Sequence, residues 1–435
     1  MIWYMPDSVE SIGHFQEWGP YLSYGADPAT MMTIAWRSKT PTAGAWVKYG
    51  ITPDCNKIAK EDAKAATRQH VVRLAGLDPA TVYHYKISRD ADTTWTFETG
   101  LPAGSKKPFE FIINGDMHAY PCNRLDHYFQ LMNSEAPDHD FYVGLGDFIN
   151  DGLDITHWNS FFYDAREYMA TRPLMNATGN HDTSNKEKYK NYLDAFFHPY
   201  VNPAEGAYYL IEYGNAVLFF IDSCNAGRGD PLPGDEQYAW LDENLKKHAR
   251  KDKWIFLFLH HQIYSTGDFG CPVIMNDVFR PLCQEYHVDA VFYGHDHHYE
   301  CFWVDRDADW GGTLFFVAGA GGGQHHVDHG IMGDRDGKTK YIWPGRFLNV
   351  RKHGIPPPSP KSDGTTLGFR NDELVKQCQL IGVLEPNFVL VRIDGDVMEL
   401  KCIGWQKQVY HHVRVKRAGA GRKWDASCEI HKIDY

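Results

Sequence analysis

The segment Tyr293–Glu300, with the sequence Tyr-Gly-His-Asp-His-His-Tyr-Glu, constrains this chain more than any other stretch. It follows an apolar run over residues 288–292 that has the length of a buried strand. His295 and His297 lie just past a glycine, where a strand opens into a loop, so both imidazoles can point into one small space. Such a pair is a weak metal signal by itself, because a chain with 23 histidines also contains solvated loop histidines.

Four other strand-like runs end in the same way, each followed by Asp, Asn or His. The residues that follow them are Asp116 with His118, then Asp147, then Asn180, His181 and Asp182, and finally His260 with His261. Polar residues gathered at one end of several strands are how an α/β protein builds a site. Oxygen and imidazole donors with no thiolate among them suit Zn, Mn, Fe or a similar divalent ion.

Taken in order, these blocks resemble the five-block signature of the calcineurin-like metallophosphoesterases. The blocks are Asp116-x-His118, Gly146-Asp147, Gly179-Asn180-His181-Asp182, His260 and Gly294-His295-x-His297. Tyr299 and Glu300 make the fifth block most similar to that of the purple acid phosphatase branch. The resemblance implies an α/β catalytic domain over residues 108–435, with two mixed sheets flanked by helices.

An all-β domain is predicted ahead of it, over residues 1–104. Short alternating segments between residues 31 and 99, separated by turn residues, are typical of a β-sandwich. The segment 76–85 resembles a fibronectin type III segment that plant-type purple acid phosphatases also carry, and it implies that Tyr83 or Tyr85 packs at a sandwich corner. In the catalytic domain, periodicity predicts helices over 124–134, 154–171, 186–196 and 233–250, and a final hairpin over 387–403.

The resemblance also implies a role for each matching residue. One divalent ion is expected on Asp116, His118, Asp147 and His297, and a second on Asp147, Asn180, His260 and His295. Asp147 bridges the two ions, which are Zn, Mn or Fe. A metal-bridged hydroxide attacks phosphorus, while His181 contacts the phosphate and protonates the leaving group. Tyr264, four residues after His260, favours His260 over its neighbour His261 as the ligand.

The chain departs from both branches at one position, Asn150. The calcineurin branch has an acidic residue there that orients the catalytic histidine, and we expect Asp151 or Asp182 to replace it here, with Asp151 the catalytic candidate. The purple branch has a tyrosine there, whose phenolate binds ferric iron and gives the colour. Asn150 together with His118 therefore predicts two divalent ions and a colourless protein.

The predicted function is hydrolysis of a small-molecule phosphate ester, with a phosphomonoesterase of the acid phosphatase type favoured. The alternatives are a phosphodiesterase or nuclease of the same superfamily, or a non-catalytic metal-binding adhesion protein. A net charge of −12 without a basic groove gives no reason to expect nucleic acid as a partner. Residues 1–20 contain no signal peptide or membrane span, which fits a cytoplasmic protein or a secreted one whose signal has been removed.

Two further features leave alternatives open. Residues 325–375 form a long Gly/Pro-rich insertion, which either roofs the metal site or is a disordered surface loop. His325 at its start is a predicted substrate contact, together with Asn180 and His181. The nine cysteines include no Cys-x-x-Cys pair, which favours free thiols over a disulfide framework.

Overall fold

A computed structural model describes most of the chain. The described residues are 16–121, 125–183, 189–204, 206–224, 234–249, 252–267, 271–322, 342–344, 377–418 and 423–430. His325 and nearly all of the insertion 325–375 lie outside them, so the predictions made for that insertion lie outside them as well. No helix in the described part of the chain is long and apolar enough to cross a membrane. Cys55, Cys224, Cys283 and Cys402 are free thiols.

The first seven strands form a β-sandwich. They are β1 (Trp18–Tyr24), β2 (Met32–Thr42), β3 (Trp46–Gly50), β4 (Lys57–Lys60), β5 (Thr67–Leu74), β6 (Val82–Ile87) and β7 (Trp95–Glu98). Their antiparallel sheets have the orders β1-β2-β5 and β4-β3-β6-β7, and both contribute to one buried core. This confirms the predicted sandwich. Strand β4 was missed because it is largely exposed and carries no apolar alternation.

Tyr83 occupies the corner of this sandwich. Its hydroxyl oxygen accepts a hydrogen bond from the backbone N–H of Asp78 at 2.9 Å. The Tyr85 hydroxyl instead makes a contact outside the sandwich, because it donates to the carbonyl oxygen of Ala170 at 2.7 Å. Of the two tyrosines considered, Tyr83 is therefore the one at the corner.

The remaining strands and helices build the α/β part. The strands are β8 (Phe109–Asn114), β9 (Phe141–Gly144), β10 (Leu174–Asn176), β11 (Tyr209–Tyr213), β12 (Ala216–Phe220), β13 (Trp254–Phe258), β14 (Ala290–Tyr293), β15 (Tyr299–Val304), β16 (Thr313–Ala318), β17 (Ile342–Pro344), β18 (Gln379–Val383), β19 (Asn387–Asp394), β20 (Val397–Gly404), β21 (Val409–Ala418) and β22 (Lys423–Ile430). The helices are α1 (Asp126–Glu135), α2 (Ile155–Asp164), α3 (Arg166–Met169), α4 (Lys190–Ala195), α5 (Glu236–His248) and α6 (Val273–Tyr286).

Two mixed sheets face each other across a core of aromatic rings. Their orders are β10-β9-β8-β19-β20-β21-β22 and β11-β12-β13-β14-β16-β15-β18-β17. Phe111 of the first sheet lies 5.9 Å from Phe256 of the second, measured between ring centroids. The alternate residue Ile112 packs outward against α1 and α2, and Ile255 packs outward against α5 and α6. The predicted fold, two mixed sheets flanked by helices, is confirmed.

Three details differ from the predictions. The helix expected over 154–171 is broken into α2 and α3. Helix α6 was not predicted, because Pro281 inside it reads as a helix breaker. The hairpin β19–β20 does not end its sheet, since β21 and β22 follow it and take up the basic C-terminal segment.

The sandwich packs directly against the α/β part. The Trp18 ring stacks on Phe162 of α2 with 4.4 Å between centroids, and its indole N–H donates to Asn159 Oδ1 at 2.8 Å. The predicted linker, residues 100–108, lies between β7 and β8. The two parts are thus joined by a buried contact as well as by the chain.

Candidate metal centre

The candidate ligands converge because of the sheet topology. Strands β8, β9 and β10 are parallel, and so are β13 and β14. The carboxyl ends of these strands lead to Asp116, Asp147, Asn180, His260 and His295. Gly115, at the end of β8, donates its N–H to the carbonyl of Ala318, at the end of β16, at 2.9 Å. The two sheets therefore meet at the edge that carries these side chains.

The backbone around the centre is tightly constrained. Asp116, His118, Asp147 and His295 all have positive φ, of 61°, 47°, 53° and 68°. Non-glycine residues rarely adopt this conformation, which costs energy and concentrates at functional sites. Gly294 leaves room for the Asp116 carboxylate, because a Cβ at position 294 would lie 2.2 Å from Asp116 Oδ2.

A first donor set consists of Asp116, His118 and His297, whose ligand atoms all lie within 4.8 Å of one another. Nε2 of His118 is 3.0 Å from Nε2 of His297, which in turn is 3.5 Å from Asp116 Oδ1. Asp147 Oδ2 is 3.5 Å from Nε2 of His118. The structure thus brings together the four residues expected to hold the first ion.

A second donor set consists of Asp147, His260 and His295, again within 4.8 Å. Nε2 of His260 lies 3.3 Å from Asp147 Oδ2 and 2.9 Å from Asn180 Oδ1. Nδ1 of His295 is 3.2 Å from the same His260 nitrogen. Nδ1 of His261 is instead 3.0 Å from Ser223 Oγ, and His261 is not among the residues of this donor set, so the geometry favours His260 over His261. Asp147 borders both sets.

Contacts behind these donors orient them. The Leu145 carbonyl oxygen can only accept, so His260 donates Nδ1–H to it at 2.8 Å and keeps the Nε2 lone pair for the centre. The Asp116 carboxylate accepts the His295 backbone N–H at 2.9 Å. Asp182 lies one layer further out and accepts backbone N–H groups from Asp147 at 2.8 Å and Gly179 at 2.9 Å. It thereby ties the loop after β9 to the loop after β10.

Electrostatics at the centre are those of a cation site. Burial raises the pKa of Asp116 well above its ordinary value and lowers the pKa of His118 to about 4. Burial also opposes charge on Asp147 and His260, but their mutual attraction outweighs it, so the pKa of Asp147 is well below its ordinary value and that of His260 is about 9. Divalent cations would favour the deprotonated form of every group, and the donor set, all oxygen and imidazole nitrogen, fits them.

His181 stands at the edge of the first donor set, with its ring centroid 4.5 Å from that of His118. The structure overturns the expectation that Asp151 or Asp182 orients it. His181 donates Nδ1–H to the Asn150 carbonyl oxygen at 2.7 Å, while Asp151 Oδ1 accepts from the Leu153 N–H at 3.0 Å. The backbone carbonyl of Asn150 therefore makes the contact with His181 that was expected of a carboxylate.

Sequence reasoning missed Ser223, which contacts the segment carrying His260 and His261. Its hydroxyl oxygen accepts the N–H groups of both residues, at 3.2 and 3.0 Å. The signal was present, because Ser223 follows the apolar strand β12, and β12 runs parallel to β13. Burial lowers the pKa of the neighbouring His261 to about 3.

Known proteins share this architecture. The calcineurin-like phosphoesterase family matches residues 109–299, and the purple acid phosphatase N-terminal domain matches residues 18–99. Purple acid phosphatase 21 of Arabidopsis thaliana is 26% identical over 314 residues, which cover 67% of this chain and 68% of that protein. An uncharacterised protein of Mycobacterium tuberculosis is 26% identical over 332 residues, covering 65% of this chain and 61% of that protein.

A solved structure has the same fold. Purple acid phosphatase PPD1 from yellow lupin seeds superposes with a TM-score of 0.68 at 18% identity, covering 91% of this chain and 73% of that one. The chain thus carries a calcineurin-like phosphoesterase domain, the catalytic domain of a class of metal-dependent phosphoesterases with a dinuclear centre. Ahead of it lies a domain that matches the N-terminal domain of the purple acid phosphatases. The resemblance and the enzyme class predicted from the sequence are confirmed.

Proposed function

We propose that this protein is a dinuclear-metal phosphatase that hydrolyses small phosphate monoesters. One observation carries the proposal: Asp147 Oδ2 lies 3.5 Å from His118 of the first donor set and 3.3 Å from His260 of the second. A carboxylate shared in this way can bridge two cations. The remaining donors then complete two separate coordination sets around it.

The proposed ligands follow from the two sets. One divalent ion would be held by Asp116, His118, Asp147 and His297, and the other by Asp147, Asn180, His260 and His295. When bound, a pair of Zn, Mn or Fe ions neutralises phosphate charge and lowers the pKa of a coordinated water. The protein's own contribution is to fix these donors and to place Asn180 and His181 where the phosphoryl group binds.

His181 is proposed to protonate the leaving group. Its Nδ1–H is held by the Asn150 carbonyl at 2.7 Å, so the ring is oriented and its Nε2 is the nitrogen that exchanges a proton. In the imidazolium form Nε2–H can donate to the ester oxygen as the bond to phosphorus breaks. Asp151 has no part in this step.

The metal pair is proposed to be divalent and the protein colourless. The side chain of Asn150 lies next to the first donor set, because a hydrogen bond that it accepts from the His118 ring partly offsets the lowering of the His118 pKa by burial. It brings no negative charge there, and His118 is itself a neutral ligand. A phenolate at this position would favour a trivalent ion and absorb visible light. We therefore expect the metal-loaded protein to show no strong visible charge-transfer band, and an intense band would contradict the assignment.

The decisive experiment compares two chromogenic substrates. The protein is reconstituted with Zn, Mn or Fe(II), its metal content is measured, and hydrolysis of p-nitrophenyl phosphate is compared with that of bis-p-nitrophenyl phosphate. Asp147→Asn should abolish activity, while His127→Ala, on the exposed face of α1, serves as the control. A preference for the diester would replace the monoesterase proposal by a phosphodiesterase. Two bound metals without any hydrolysis would support a non-catalytic metal-binding protein.

A further inference from the structure

His261 has a hydrogen-bond arrangement that fixes where its ring proton lies. Ser223 Oγ accepts the backbone N–H of His260 at 3.2 Å and that of His261 at 3.0 Å. These two contacts occupy the lone pairs of the hydroxyl oxygen, so its hydrogen is left for the third contact, with His261 Nδ1 at 3.0 Å. His261 Nδ1 is therefore the acceptor, and the neutral ring carries its proton on Nε2.

The ring lies beside the second donor set. Its centroid is 4.6 Å from that of His295 and 5.2 Å from that of His260. His261 is only partly buried, and within the described part of the chain its ring contacts with hydrogen-bonding groups run through Nδ1. A partly exposed ring whose neutral tautomer carries its proton on Nε2 thus stands next to the proposed ligands.

The contrast with His181 shows what each ring can do. His181 donates Nδ1–H to a carbonyl, so Nε2 is the unprotonated nitrogen of its neutral ring. His261 accepts at Nδ1, so Nε2 is the protonated nitrogen of its neutral ring. His181 lies against His118 of the first donor set, whereas His261 lies against His295 of the second.

We infer that His261 is a second phosphate-binding histidine, whose neutral Nε2–H donates a hydrogen bond to a non-bridging oxygen of the phosphoryl group. This inference rests on the proposed function, because it needs a phosphoryl group at the metal pair. It gives the two histidines different tasks: His181 transfers a proton to the leaving group, and His261 holds the group that stays on the metals.

The first test measures binding of inorganic phosphate to the metal-reconstituted full chain by calorimetry. His261→Ala should weaken phosphate binding ~10-fold, the usual scale for a hydrogen bond to a charged group, without changing metal stoichiometry. His261→Gln retains an N–H donor at a similar reach and should recover most of the affinity. His127→Ala, on the exposed face of α1, should bind phosphate like the unmodified protein.

Steady-state kinetics of the same variants provide a second test. Loss of a phosphate contact should raise KM for p-nitrophenyl phosphate while the dependence of kcat on leaving group and on pH is retained. Unchanged phosphate affinity in His261→Ala would overturn the inference. Loss of metal from His261→Ala would also overturn it, because His261 would then position the proposed ligand His295. A loss of activity confined to esters with poor leaving groups would overturn it as well, because His261 would then be a general acid.

Imidazole nitrogen NMR tests the tautomer directly. In the zinc-loaded protein, His261 should show a protonated Nε2 and an unprotonated Nδ1, and the opposite assignment would overturn the inference. The two proposals fail differently. If the unmodified metal-loaded protein binds no phosphate, the proposed function falls, whereas phosphate binding that is indifferent to His261 removes only the present inference.

Discussion

Asp147 is the residue on which the centre depends most. Its carboxylate borders both donor sets, and its Oδ1 also accepts the His181 backbone N–H at 2.8 Å. Asp147→Ala should therefore release both metals and abolish hydrolysis, since neither set keeps its shared oxygen ligand. Metal content measured by atomic spectroscopy checks this. Retention of one full equivalent of metal would show that Asp147 serves a single site.

His181 should behave in the opposite way, because it is proposed to act on the substrate and not on a metal. His181→Ala is expected to keep both metals and to lose ~10²–10⁴ in turnover on esters with poor leaving groups. The loss should shrink as the leaving group improves, because a good leaving group needs no proton. A series of substituted phenyl phosphates measures this dependence. Loss of metal from the variant would mean that His181 is a ligand.

At the scale of the elements, short polar contacts between loops hold the strand ends in register. Asp182 connects the loops after β9 and β10, and Gly115 connects the ends of β8 and β16. Further from the centre, His139 joins α1 to α3. Its Nδ1 donates to the Ala136 carbonyl at 2.6 Å, and its Nε2 accepts from the Tyr168 hydroxyl at 2.7 Å.

His139 should make stability depend on pH. Burial lowers its pKa from 6.5 to about 4, so the unfolded chain binds a proton before the folded chain does. The contribution of His139 to the free energy of unfolding is therefore present above pH 6.5. It is lost as the pH falls towards 4, at up to about 1.4 kcal/mol per pH unit. His139→Gln should flatten that part of the stability curve. Denaturant unfolding of the metal-free protein at several pH values measures it.

The metal-free form is needed because protonation of the ligands also releases metal at low pH. His127→Gln, on the exposed face of α1, is the matched control and should leave the slope unchanged. An equal slope in His139→Gln and in the unmodified protein would show that His139 is already protonated in the fold.

Across the whole molecule, the sandwich and the α/β part share buried surface. Trp18, the first residue of β1, is 2% exposed and packs on α2, and the Tyr85 hydroxyl donates to the carbonyl of Ala170. This contact predicts that the two parts unfold together, although they are separate units in sequence.

Trp18→Ala should lower the free energy of unfolding by about 3–5 kcal/mol, because a large buried ring is removed and Asn159 Oδ1 loses the indole N–H donor. Denaturant unfolding, followed by circular dichroism and by metal release, measures it. Val82→Ala is the control, since that side chain is 49% exposed and should change little. Two separate transitions in the unmodified protein would show that the contact does not couple the parts.

The sequence by itself predicted the class of the protein and its candidate ligands, because both depend on short local patterns. Apolar runs of strand length followed by Asp, Asn or His identify the strand ends, and alternation identifies the sandwich. Contacts between residues that lie far apart in the chain were decided by the tertiary structure. The Leu145 carbonyl and the Ser223 hydroxyl orient His260 and His261 differently, and the Asn150 carbonyl stands where Asp151 was expected at His181. No local pattern encodes those contacts, because each joins separate loops only after both sheets have formed.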